Sequence, residues 1–179
     1  MTADRVTALP AVVAARDLEH DVALLRIDRD VTFGVPDDFL GNNAAVRPGA
    51  SVMALGYAFG HHQVHAVLAF QAVVSAKITS RNGTALILFD SRFHEGDRGG
   101  PLVHVHDGHV IGIVSGRFEA GEISAHVPEG GRGAIADSNV SYAVAIEYGL
   151  QLMEQIPELE RVRVGAERSA VLEPHAEVR

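Results

Sequence analysis

The chain has 179 residues, of which 47% are hydrophobic and none is cysteine, and its formal charge is −8 at pH 7. This composition is typical of a globular chain with a buried core, and it excludes disulfides, a thiolate nucleophile and zinc–thiolate sites. The acidic balance disfavours nucleic acid as a partner, because phosphate binding requires basic surface. No apolar run reaches membrane-spanning length and no export leader is visible in the sequence, so we expect a cytoplasmic location and no membrane association.

Two short apolar segments come first. Residues 6–15 and 21–27 are rich in valine and leucine, and a charged stretch separates them. This composition predicts two strands of a sheet. The residues that follow, 28–48, combine prolines, glycines and a pair of asparagines without a regular pattern, which indicates a linker.

A longer series of strands and turns occupies residues 51–115. Within it, segments 64–79 and 84–89 flank an Arg81-Asn82-Gly83 turn. Strands that alternate with turns, with no helical pattern between them, predict an antiparallel barrel.

The C-terminal part of the chain changes character. Glycine-rich residues 121–137 predict a flexible loop before a last strand. Ile146, Leu150 and Met153 then recur at helical spacing and predict a helix that Pro157 ends. The charged residues 157–179 predict a tail.

Three histidines fall on one predicted hairpin, Leu102-Val103-His104-Val105-His106-Asp107-Gly108-His109-Val110-Ile111. An Asp107-Gly108 two-residue turn would place His106 opposite His109, with His104 on the same face. Three imidazoles on one face are weak candidate ligands for Zn²⁺ or Ni²⁺. The alternative is a polar outer face whose valines point inward. We predict no bound metal and no other cofactor.

Five segments resemble those of one protein family. The run Glu95-Gly96-Asp97-Arg98-Gly99-Gly100-Pro101-Leu102-Val103 resembles the nucleophile loop of trypsin-like serine proteases, with Arg98 at the serine position. The run Asp17-Leu18-Glu19-His20-Asp21-Val22-Ala23-Leu24-Leu25-Arg26-Ile27 is similar to the segment that presents the triad aspartate, which Asp21 matches. Segments 52–60, 112–116 and 140–146 resemble, in family order, the first strand of the second barrel, the strand lining the specificity pocket, and the close of bacterial HtrA-type peptidase domains.

The resemblance implies an all-β, trypsin-like fold. It assigns residues 1–30 to a remnant of the first barrel that carries the triad aspartate, and 31–50 to a linker. Residues 51–156 would form a complete second barrel with a C-terminal α-helix, and 157–179 the tail. Because only the last strands of the first barrel are present, we expect exposed strand edges, and hence self-association or pairing with a missing N-terminal segment.

Two members of the implied catalytic triad are absent. Arg98 cannot attack a carbonyl, because a guanidinium remains protonated and only donates hydrogen bonds. The family's general base precedes the aspartate, and the one histidine before Asp21 is His20. Neighbouring side chains on a strand point to opposite faces, so we expect that His20 cannot pair with Asp21. The resemblance leaves an oxyanion hole at Gly96 and the Arg98 backbone N–H.

The specificity pocket implied by the resemblance is basic. Arg92 stands six residues before Arg98, where the family sets its charge preference. Arg98, Ser115 and Gly116 would complete with it a cleft that binds an acidic group. The alternative is that Arg92 is a solvated loop residue.

Three functions are compatible with these features. The favoured one is a catalytically incompetent peptidase domain, a pseudoprotease or fragment that binds a peptide or protein in the former cleft. The second is a truncated or substituted form of an active serine endopeptidase. The third is a metal- or partner-binding β-barrel without proteolytic relevance.

Overall fold

The computed structural model describes residues 9–27, 36, 38–57, 67–92, 95–117 and 139–156. Within these residues the structure is almost entirely β, with one α-helix at the C-terminal end. The strands are β1 (Ala11–Asp17), β2 (Val22–Ile27), β3 (Ser51–Gly56), β4 (Leu68–Thr79), β5 (Ala85–Phe89), β6 (Pro101–His104), β7 (Val110–Arg117) and β8 (Ser141–Ala145), and helix α1 is Ile146–Glu154. The predicted all-β class and C-terminal helix are confirmed. The predicted loop at 121–137 and tail at 157–179 lie outside the described residues.

Six strands close into an antiparallel barrel in the order β3-β4-β5-β8-β7-β6. Pairing of β3 with β6, with Met53 opposite Val103, completes the ring. Side chains along each strand point alternately into and out of the barrel. The inward-pointing side chains are apolar and fill the interior, and they include Val52, Val74, Phe89, Leu102, Ile111 and Val114. The predicted antiparallel barrel is therefore present.

Strand β5 is buried on both faces, and this explains how α1 joins the barrel. Ile87 and Phe89 point into the interior. Leu86 and Leu88 point outward and form a second cluster with Leu152 of α1. The sequence of a strand that is covered on both faces is a continuous apolar run, and residues 85–89 have such a sequence. Among the described residues, no helix is long and apolar enough to cross a membrane.

The end of the predicted linker belongs to the barrel. Val46 is 2% exposed and lies in the interior cluster. The Gly41 N–H donates to the Val110 carbonyl at 2.9 Å. The Lys77 ammonium donates to the carbonyls of Asn43 and Val46 at 2.7 and 3.1 Å. Residues 41–46 thus cover one part of the barrel as well as connecting it to the preceding strands.

Strands β1 and β2 form a separate two-stranded antiparallel sheet. One side of this sheet packs on α1, where Val22 and Leu24 join the cluster around Leu152. The other side carries Val13 and Leu25, which stand directly opposite each other and are 60% and 59% exposed. The sheet is thus held to the barrel on one face and open on the other.

Candidate active-site cleft

The loop that carries Arg98 begins with a 3-10 helix, Glu95–Asp97. Asp97 is 1% exposed and lies flat against Gly56 at the end of β3. A Cβ on Gly56 would stand 2.5 Å from Asp97 Oδ1 and 2.7 Å from its Cα. Because Gly56 has no side chain, Asp97 can pack against its backbone and be buried there.

The other side of the loop is held by β7. The Gly99 N–H donates to the Val114 carbonyl at 2.8 Å, and the Val114 N–H donates to the Gly100 carbonyl at 2.8 Å. Gly99 has φ +81°, a conformation that side chains disfavour. Gly100 packs directly on the Leu55 carbonyl. These contacts fix the backbone on both sides of Arg98, whose exposed side chain is left directed at a cleft.

This cleft, of about 420 Å³, lies between the β1–β2 sheet and the barrel. Arg98 and Gly99 line it from the loop, and Ile113, Val114 and Ser115 line it from β7. Asp21, Val22, Ala23 and Leu25 line it from the sheet. The structure thus brings the predicted triad aspartate, the predicted nucleophile position and Ser115 to one cavity. Ser115 is 6% exposed, and its hydroxyl donates to the Ile113 carbonyl at 3.3 Å.

The Arg98 guanidinium lies over Gly116, beside Tyr142. Arg98 Nη2 and the Tyr142 hydroxyl are each 3.4 Å from the point that a Cβ on Gly116 would occupy. The lack of a side chain at Gly116 therefore leaves the space that the guanidinium uses. Sequence reasoning missed Tyr142 as a neighbour of Gly116 and the guanidinium, although it lies in segment 140–146 and pairs with Gly116 across β7 and β8.

Asp21 does not lie on a strand, so the geometric argument that separated it from His20 is wrong. Strand β1 ends at Asp17 and β2 begins at Val22, and Asp21 occupies the intervening turn with φ 56°. Asp17 Oδ1 accepts the Glu19 and His20 N–H groups at 3.0 and 3.1 Å. A carboxylate that accepts amides two and three residues ahead stabilises a turn in place of a strand.

His20 is engaged by two other residues. Its Nδ1 lies 2.6 Å from Asp17 Oδ2, and its ring stacks on that of Tyr148 with centroids 3.8 Å apart. The hydrogen bond from His20 holds the pKa of Asp17 below its ordinary value. His20 was predicted not to pair with Asp21, and this arrangement agrees. The reason differs from the predicted one, because His20 is held by Asp17 and Tyr148.

Arg92 and Gly96 are both exposed, and neither is among the described residues that line the cleft. Gly96 lies inside the Glu95–Asp97 3-10 helix. The roles of Arg92 in specificity and of Gly96 in an oxyanion hole stay predictions.

The histidine hairpin has a different register from the predicted one. The His104 N–H donates to the His109 carbonyl at 2.8 Å, and the Gly108 N–H donates to the His104 carbonyl at 2.9 Å. The predicted two-residue turn, and the predicted pairing of His106 with His109, are wrong. The inward positions are those of Leu102 and Ile111, and Val105 is 44% exposed.

The carboxylate of Asp107 organises this turn. It lies 2.9 Å from His104 Nδ1 and 3.6 Å from His109 Nδ1, and it accepts the His109 N–H at 3.1 Å. These contacts with His104 and His109 hold the pKa of Asp107 below its ordinary value. The His104 and His106 rings are 6.1 Å apart. Within the described part of the chain, no three histidine or carboxylate side chains are grouped so as to hold a metal ion.

Comparison with known proteins assigns the family. A family model described as "Trypsin-like peptidase domain" matches residues 2–113. The chain is 28% identical to "Uncharacterized protein y4bJ" of Sinorhizobium fredii over 145 residues, which is 79% of this chain and 22% of that protein. It is 34% identical to "Serine protease HTRA1B" of Danio rerio over 131 residues, 68% of this chain and 25% of that protein.

A solved structure gives the same assignment. "HtrA-type protease AlgW with decapeptide" superimposes with a TM-score of 0.61 at 25% identity, covering 84% of this chain and 41% of that one. The chain belongs to the trypsin-like peptidase domain family. Within that family it is similar to HtrA-type proteases, and it spans about a quarter of the length of the curated relatives that it matches.

Proposed function

We propose that this chain is a trypsin-like domain that lacks peptidase activity and uses its former active-site cleft to bind a peptide or a protein segment. The observation that supports the proposal best is Arg98, which stands at the predicted nucleophile position of a loop held on both sides by β3 and β7. On this proposal the loop backbone is retained while arginine replaces the reactive side chain.

The residues around the cleft provide no substitute chemistry. Acyl transfer by this class needs a hydroxyl nucleophile and an imidazole to take its proton. Among the described residues that line the cleft, Ser115 carries a hydroxyl, and it is bonded to the Ile113 carbonyl. The same lining contains no imidazole, and His20 is held by Asp17 and Tyr148. Asp21 therefore has no proton acceptor to orient in this part of the chain.

Peptide binding is supported by the shape of the cleft and by a structural neighbour. The cavity of about 420 Å³ carries charged side chains on opposite walls and apolar side chains such as Val22 and Ile113 between them. A few placed polar groups in an otherwise apolar cleft are typical of a binding site. The HtrA-type neighbour, as its description states, was solved with a decapeptide.

The test uses covalent labelling together with peptide hydrolysis. We expect no labelling by a fluorophosphonate probe and no hydrolysis of fluorogenic peptides above a heat-denatured control. The covalent probe is needed because trypsin-like enzymes without triad members retain roughly 10³–10⁴-fold rate enhancement over water. Stoichiometric labelling of the chain as written would overturn the assignment of incompetence.

A second candidate is a substituted form of an active serine endopeptidase. The retention of Asp21 at the cleft favours it, since a pure binding domain has no need for the triad carboxylate at that position. Three samples separate the candidates: the chain as written, Arg98→Ser, and Arg98→Ser joined to any upstream-encoded segment that carries a histidine. Activity confined to the third sample supports the second candidate. No activity in any folded sample supports the binding function.

A further inference from the structure

We propose that Arg98 converts the former active site into a carboxylate-binding site, and that its ligand is a peptide with a free C-terminal carboxylate. This inference rests on the proposed binding function and specifies its ligand. In a peptidase of this class, the nucleophile faces the carbonyl that becomes the product's C-terminal carboxylate. A guanidinium at that position can therefore bind the C-terminal carboxylate of a peptide that resembles the reaction product. Such a peptide has no bond left to be cleaved there.

The position of the guanidinium supports this role. Its Nη2 lies over Gly116, as the Tyr142 hydroxyl does, and Arg98 lines a cleft that opens to solvent. In the part of the chain that the structure describes, no ion pair or hydrogen bond involves the Arg98 side chain. Its five N–H donors are thus available, and a planar guanidinium binds a carboxylate through two parallel hydrogen bonds.

Asp21, on the opposite wall of the cleft, predicts the orientation of the ligand. Asp21 lines the same cleft, and its negative charge repels an incoming anion. The ligand's carboxylate is therefore held at the Arg98 side, with the preceding residues along the apolar lining of Val22, Leu25 and Ile113. Removing the Asp21 charge should strengthen binding of an anionic ligand, and the gain should shrink as salt screens the interaction.

The experiment is a peptide array in which each sequence is synthesised in three forms. The first ends in a free carboxylate, the second ends in an amide, and the third ends in an amide but has glutamate as its last residue. Peptides that bind are then measured by fluorescence anisotropy. We expect the free acid to bind about ten-fold or more tightly than the amide, the range for a charge-assisted hydrogen-bonded pair.

Variants connect the effect to the residue. Arg98→Gln should reduce the ratio of acid to amide affinity to near one, and Arg98→Lys should give an intermediate ratio because it keeps the charge but loses the two-pronged geometry. Asp21→Asn should increase affinity for the acid at low salt. The matched control is Arg47→Gln, which removes an exposed arginine outside the cleft and should leave the ratio unchanged.

Each outcome decides a separate point. Equal binding of acid and amide overturns the carboxylate site but leaves the peptide-binding function standing. Preference for the glutamate amide over the free acid retains a carboxylate site and overturns the C-terminal ligand. No binding by any array member overturns both proposals. As an independent measurement, titration with acetate should shift the Arg98 Nε–H resonance, identified by its loss in Arg98→Gln, whereas titration with acetamide should not; equal responses overturn the site.

Discussion

The rings of His20 and Tyr148 stack with centroids 3.8 Å apart and an angle of 16° between their planes. This contact joins the β1–β2 turn to helix α1. The same turn is tied to the barrel a second way, because Asn82 Nδ2 donates to the Glu19 carbonyl at 2.8 Å. Since Asp21 follows His20 directly, these contacts determine the position of Asp21 relative to Arg98 in the cleft.

The stack should contribute measurably to stability. His20→Ala removes an aromatic pair of a kind that contributes about 0.5–1.5 kcal/mol beyond area burial. We expect the free energy of unfolding in urea to fall by about 1 kcal/mol. Tyr148→Phe is the matched control: it keeps the stack and removes only the hydrogen bonds of the hydroxyl, which accepts the Ala85 N–H at 2.9 Å. Wild-type stability in His20→Ala would contradict the role assigned to the stack.

The turn should also lose stability in acid. His20 holds the pKa of Asp17 below its ordinary value of 3.8, so the folded state binds the Asp17 proton less readily than the unfolded chain. This contribution is complete above the unfolded pKa and is lost as the pH falls through the lower, folded pKa. Asp17 is only partly buried, so the effect should shrink at high salt. Urea unfolding between pH 2 and 6 should show a shallower pH dependence for Asp17→Asn than for the wild type. An identical dependence would contradict this assignment.

Sequence motifs identified the cleft because glycines determine its geometry. Gly56, Gly99 and Gly100 shape the loop whatever side chain stands at position 98, so the loop is recognisable with an arginine there. The barrel was predictable for a related reason, since strands alternating with turns leave few other arrangements. Both features depend on local backbone requirements that appear directly in the sequence.

The features that sequence reasoning missed depend on side-chain hydrogen bonds. Asp17 ends β1 by accepting two amides of the following turn, and Asp107 accepts the His109 N–H and contacts the His104 ring. Strand periodicity and the Asp-Gly turn rule do not include such bonds. The position of Tyr142 beside Gly116 was missed because it joins residues of different segments, whose side-chain directions a strand pattern does not specify.

Two glycine substitutions should change stability in opposite directions. Gly56→Ala places a Cβ 2.7 Å from the Asp97 backbone, so we expect it to cost about 1–3 kcal/mol, as overpacking does in cores. Gly149→Ala meets nothing closer than 3.8 Å and lies within α1, where alanine is favoured over glycine by up to about 1 kcal/mol. Urea unfolding measures both. Equal effects would show that the room beside Gly56 does not constrain the loop.

The open face of the β1–β2 sheet predicts association. Val13 and Leu25 are directly opposite each other across the two strands and are both more than half exposed. Contiguous exposed apolar side chains mark interaction surfaces, and exposed strand edges template pairing with other chains. We therefore expect the chain to self-associate through this face, with a sedimentation coefficient that rises with concentration in analytical ultracentrifugation.

Charge on this face should abolish the association. The variant Val13→Lys with Leu25→Lys places two ammonium groups on the apolar face, and burying unpaired charges in a contact between two chains is costly. Val105→Lys is the control, because Val105 is an exposed apolar residue on the separate β6–β7 turn. Self-association should persist in the control and disappear in the double variant. A wild-type chain that stays monomeric at all concentrations would show instead that packing of Val22 and Leu24 on α1 suffices to keep the sheet folded.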